Sequence, residues 1–116
     1  MSELNPEDAK IITLARAARA RTGAAEGAAV RDETGRTYSA TNVDLPSLRL
    51  TALAVAVAMA VSSGAEDLEA AALVTAAGAA ASEDIAAVRD LGPKAPVLVA
   101  APDGTVLTSI PAHGAR

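Results

Sequence analysis

LGPKAPVLVAAPDG, residues 91–104, reads as a helix stop, a short buried strand and a tight turn in direct succession. Gly92-Pro93 cannot prolong a helix, because proline lacks the N–H and clashes with the preceding turn. Pro96 to Ala100 is an apolar run too short for a helix and suited to a strand covered on both faces. Pro102-Asp103-Gly104 has turn chemistry, and Thr105 to Ile110 supplies the strand that returns. Immediately upstream, Ser82 followed by Glu83 and Asp84 reads as a helix cap with an acidic first turn, and that helix runs to about Asp90. Helix, strand, turn and strand therefore follow one another between Ser82 and Ile110, the pattern of an α/β layer structure.

Working outward, Leu68 to Thr75 suits a buried strand, although its alanines suit a helix equally. Asn42 to Pro46 breaks the chain ahead of an apolar helix from about Ser47 to Ser63, closed by Gly64. That helix is apolar nearly all the way round, so it is expected to be buried on several sides, by its own subunit or by a partner. Gly27 to Arg31 and Thr37 to Thr41 flank Asp32-Glu33-Thr34-Gly35-Arg36, a hairpin with glycine where a positive φ is needed. Asn5-Pro6-Glu7-Asp8 caps and starts an N-terminal helix that Gly23 ends. The expected order is α-β-β-α-β-α-β-β in one domain spanning residues 1–116, with residues 111–116 as a frayed tail.

The 116 residues carry a formal net charge of -4, with 51% hydrophobic and 21% charged types, a globular balance. A chain of this size buries roughly 65% of its unfolded surface, enough for a core without staples. It has no cysteine and one histidine, His113, so disulfides and thiolate or histidine-built metal sites are excluded. Tyr38 is the sole aromatic residue, which leaves no stacking platform for nucleic acid. Alanine makes up roughly a quarter of the chain. Small side chains give a thin core, which argues for oligomerisation, or the composition simply reflects coding bias. The polar start and the short apolar run Leu50 to Val61 argue against a leader or a membrane span, so a cytoplasmic chain is expected. Lys10, Arg16, Arg19 and Arg21 suit either a solvated helix face or a basic patch for an acidic partner.

GAAV at 27–30, DETGRTYSATNVD at 32–44, the apolar helix and residues 91–104 in this order resemble the cytidine deaminase family, from about Glu7 to Ser109. The resemblance implies a three-layer α/β fold with a mixed five-stranded sheet, helices on both faces, and dimers or tetramers. It also implies a water made nucleophilic by zinc, held by a His or Cys and two Cys, with a Glu moving protons to the base. Thr51 stands at the first ligand position and Leu53 at the proton-shuttle position. Ala81 and Asp84 fall where the two cysteines belong, in a register counted back from Gly92-Pro93 that a slip of one or two residues would change. No slip restores a thiolate, so the expectation is a chain without cofactor or zinc-dependent hydrolysis.

Part of the implied sugar site persists. Asn42 matches the family's Asn, and Asp44 stands where a Glu is expected, one methylene shorter. Both residue types also serve turns and caps after a strand. The position expected to pack the base falls near Ala24. Other templates fail: His113 lies beside Gly114 near the end, TGAAEG lacks the Lys-Ser/Thr of a phosphate loop, and adjacent Glu83 and Asp84 point different ways. The reading that follows is a non-catalytic, homo-oligomeric binding or scaffold protein; a module for a protein partner that the sequence does not name is a separate reading. A nucleoside-type ligand, or metal-independent chemistry in a cleft lined by Asn42, Asp44, Thr51 and Asp84, is the alternative.

Overall fold

A computed structural model describes residues 4–111. Asn5 caps α1 (Pro6–Thr22), its side chain accepting from the Glu7 N–H at 2.7 Å, and Gly23 ends the helix at φ 68°. Then come β1 (Glu26–Asp32), β2 (Thr37–Thr41), β3 (Val43–Leu45), β4 (Leu48–Leu50) and α2 (Ala52–Ser62). β5 (Leu68–Thr75), α3 (Ser82–Leu91), β6 (Val97–Ala100) and β7 (Val106–Ile110) complete the chain. Five strands form one sheet in the order β2-β1-β5-β6-β7, parallel only between β5 and β6.

Helices cover both faces. α1 lies on one, where Ile11, Ile12 and Ala15 meet Ala29, Ala72, Val74 and Leu98. On the other, α2 and α3 bring Leu53, Val57 and Val88 against Val30, Leu73, Val97 and Val99. β5 alternates between these two cores and is buried at seven of its eight positions, which explains its unbroken apolar reading and settles it as strand. The mixed five-stranded, three-layer expectation holds.

Two helix starts differ from the sequence reading. The second helix starts at Ala52 rather than Ser47, because Leu48–Leu50 turns back on Val43–Leu45 as a two-stranded ribbon around Pro46-Ser47. Proline fits such a turn, and Thr51 then caps the helix by accepting from the Ala54 N–H at 3.2 Å. Ser82 is the first residue of α3 rather than its cap; Ala81 holds the cap position without a side-chain bond. Of the expected tail, residues 112–116 lie outside the described residues.

The β1–β2 turn is built round one carboxylate. Asp32 Oδ1 accepts from Thr34 N–H (2.8 Å), the Thr34 hydroxyl (2.7 Å) and Arg36 N–H (3.1 Å), while Oδ2 accepts from the Tyr38 hydroxyl at 2.8 Å. Burial pushes this carboxyl up, but four donors to the charged form outweigh it and hold the pKa at about 2. The same bond pushes the Tyr38 phenol up. Gly35 turns the corner at φ 88°. The hairpin was legible because its turn residues and the two strands agree.

Candidate functional site

The β2–β3 junction, the end of β4 and the first residue before α2 converge on the ends of β1 and β5. Between them opens a cleft of about 520 Å³, walled by Glu26, Asn42, Asp44, Arg49, Thr51 and Thr75 among others. It lies beyond the carboxyl end of β5, which is parallel to β6, the usual place for a ligand in an open α/β sheet. Asn42 and Asp44 both reach this cleft, and each already has a partner. Asn42 Oδ1 accepts from the Glu26 N–H at 3.0 Å, tying β2 to β1. Asp44 pairs with Arg49 at 3.3 Å across the β3–β4 ribbon, both side chains largely in water. The Asn42 amide N–H₂ and the second Asp44 oxygen retain hydrogen-bonding capacity.

Thr51 joins the cleft to the interior. Its hydroxyl donates to Asp84 Oδ1 at 2.6 Å, a short charge-assisted bond, while accepting from the Ala54 N–H. Asp84 is 4% exposed and sits in the first turn of α3, where the helix dipole favours a carboxylate. One hydrogen bond thus ties the N-terminus of α2 to that of α3. Asp84 does not wall the cleft itself, contrary to the lining expected from sequence; it stands behind Thr51. Leu53 is fully buried in the core between the sheet, α2 and α3. Ala25 lies on the cleft wall and Ala24 does not. Glu26, Arg49 and Thr75 were not singled out from sequence, since lone polar residues at strand ends carry no motif.

The three positions read as displaced zinc ligands offer a hydroxyl, a methyl and a carboxylate. The hydroxyl and carboxylate are bonded to each other, and the methyl of Ala81 donates nothing. Tetrahedral zinc asks for three or four thiolate, imidazole or carboxylate donors, so these side chains do not fit it. Among the described residues no three His, Cys, Asp or Glu side chains cluster for a metal ion. Nor, among them, is any helix long and apolar enough to cross a membrane.

Residues 4–104 match a family model described as cytidine deaminase-like. The fold is similar to that of a cytidine deaminase from Burkholderia pseudomallei, at 24% identity and a TM-score of 0.78, covering 89% of this chain and 91% of that one. A cytidine deaminase from Mycobacterium leprae is similar at 21% identity and a TM-score of 0.68, over 90% of this chain and 95% of the other. One from Mycobacterium tuberculosis follows at 25% identity and 0.65, over 76% and 80%. Comparison with curated protein sequences gives no match.

Proposed function

The chain belongs to the cytidine deaminase-like family, and on that premise we propose that it lacks the hydrolytic zinc chemistry and serves as an oligomeric binding or scaffold protein. The Thr51–Asp84 hydrogen bond carries this reading. In a deaminase site those positions must present deprotonated ligands to a metal and a carboxylic acid to the base. Here the hydroxyl donates to one oxygen of a buried carboxylate, and Leu53 fills the acid's place with buried hydrocarbon. The residues that would activate water are spent on joining two helices.

The cleft of about 520 Å³ supports a second reading, a nucleoside-type ligand held without metal by Asn42, Asp44 and Thr51. Purified chain is expected to hold no stoichiometric zinc and to turn over no cytidine. A panel of nucleosides and nucleotides read by thermal shift separates the two readings. Saturable stabilisation lost in Asn42→Ala favours the ligand site; no shift favours the scaffold. Stoichiometric zinc with cytidine turnover would falsify both.

Assembly rests on apolar residues that the subunit leaves uncovered. Ala52, Ala56 and Ala60 of α2 are fully buried within the subunit, so Ala56 is a core position and a charge there would unfold the chain rather than divide an oligomer. The outward residues are Met59 (39% exposed) and Val61 (54%), with Leu45, Leu48 and Leu50 exposed on the ribbon just before the helix. These make the candidate contact between copies. Sedimentation at micromolar concentration is expected to give at least a dimer of the 11.5 kDa chain. Met59→Glu should return it to monomer with helix content unchanged. A native monomer, or a Met59→Glu variant still associated, ends this proposal.

A further inference from the structure

On the face of the sheet opposite α2, two arginines of α1 are held in place by backbone carbonyls. Arg16 Nε donates to Pro102 O at 3.2 Å, gripping the β6–β7 turn, and Arg19 Nε donates to Ala25 O at 3.0 Å, gripping the approach to β1. Each side chain is therefore anchored through one nitrogen, which leaves its terminal N–H groups for another acceptor. The two residues are three apart on the helix, so they neighbour each other on its surface. Thr13, Ala17, Ala20 and Pro102 complete a groove of about 290 Å³ with them. The alanine methyls leave its floor low, and no carboxylate lines it.

The other ion pairs sharpen the contrast. Among the described residues, arginine–carboxylate bridges are made by Arg31, to Asp8 and Glu69, and by Arg49, to Asp44. Arg16 and Arg19 bridge to none of the described carboxylates. Asp103 is close enough to Arg16 to feel its charge, and Arg16 also borders the neighbouring hollow that Asp103 and Gly104 line, but Asp103 does not line this groove. In a chain of net charge -4, two oriented guanidiniums facing one small concavity are a local reversal of sign.

We propose that this groove is a phosphate-binding cradle, with Arg16 and Arg19 as its two forks and the Ala17–Ala20 floor as its seat. Guanidinium geometry matches phosphate oxygens in pairs, and anchoring both side chains beforehand reduces the ordering cost of binding. A phosphoryl group suits the concavity because it presents acceptors on several sides to donors arriving from two directions. The ligand is either free phosphate or the phosphate of an organic monoester; the chemistry recognised is the same. The cradle does not depend on the reading of the cleft, although Arg19 is anchored on Ala25, which also walls that cleft.

Proton–nitrogen correlation spectra of the native chain, titrated with sodium phosphate at fixed ionic strength, test the proposal. Saturable shifts of the Arg16 and Arg19 side-chain Nε–H signals and of the Thr13, Ala17 and Ala20 amides are expected. A matched chloride titration should leave them in place. Arg16→Gln/Arg19→Gln should weaken phosphate by at least about tenfold, as loss of charge-assisted pairs predicts. Arg36→Gln/Lys94→Gln, which removes the same charge elsewhere, should bind as the native chain does. Glycerol phosphate binding clearly tighter than inorganic phosphate assigns the site to an organic monoester; equal binding assigns it to the free ion. Non-saturating shifts, shifts equal in chloride, or equal loss in both double variants overturns the cradle.

Discussion

A variant carrying Thr51→Cys, Ala81→Cys and Asp84→Cys is expected to bind one zinc per chain, and the native chain none. The expectation rests on geometry rather than on composition. Thr51 and Asp84 already touch at 2.6 Å, and Ala81 stands three residues before Asp84 at the start of the same helix, so all three point from two neighbouring helix ends. Thiolates there would face the positive ends of both dipoles, which lowers their pKa and favours the metal-binding form. Three thiolates and a water satisfy tetrahedral zinc. At free zinc a thousandfold above the dissociation constant, binding would stabilise the fold by about 4 kcal/mol, a rise in melting temperature of roughly 15 °C. Cobalt substitution would count the sulfurs through thiolate charge-transfer absorption. Failure of the reduced, folded variant to take up metal would mean that Ala81 or Asp84 is out of register with the family's cysteines.

Gly27→Ala is expected to be the most damaging single methyl in the chain. A Cβ at Gly27 would lie 2.0 Å from the Ala15 carbonyl oxygen and 3.0 Å from Arg19 Cβ, so helix backbone, not a flexible side chain, blocks it. α1 would have to lift off the sheet and open the core that Ile11, Ala15 and Ala29 share. Overpacking of this kind costs about 3 kcal/mol, a large part of the stability of a small domain. Gly23→Ala supplies the comparison. It meets nothing within 4 Å, but its φ of 68° disfavours a side chain, and it should cost only about 1 kcal/mol. Urea unfolding of the two variants decides the matter: a smaller loss for Gly27→Ala than for Gly23→Ala would show that the helix can retreat freely. The variant also tests the phosphate cradle, since Arg16 and Arg19 ride on the helix that must move.

The main elements were legible where local chemistry and burial pattern agree. Asp32, Gly35 and the flanking strands specify one hairpin, and Asn5, Pro6 and Gly23 fix both ends of α1. β5 was ambiguous in sequence because a strand buried on both faces loses its alternation, and only the sheet resolves it. The β3–β4 ribbon was invisible for a different reason: Leu48 and Leu50 continue the apolar run of α2, so nothing in the pattern marks Thr51 as the boundary. Of the candidate site, Asn42, Asp44 and Thr51 were found by position along the chain and do wall one cleft. Their partners were not readable, because Asn42 bonds a backbone N–H sixteen residues away and Asp84 lies thirty-three residues from Thr51. Contacts at that separation belong to the fold rather than to any window of sequence.

The Tyr38–Asp32 bond gives the chain an optical property. With no tryptophan and no phenylalanine, near-ultraviolet absorption and intrinsic fluorescence come from one ring. That ring's hydroxyl donates to a buried carboxylate at the hairpin turn, so its emission is expected to be quenched while the turn is closed and to recover as it opens. Stopped-flow fluorescence is therefore expected to follow the β1–β2 hairpin together with the core face that Tyr38 packs against, and any mismatch with far-ultraviolet dichroism times the rest of the sheet against it.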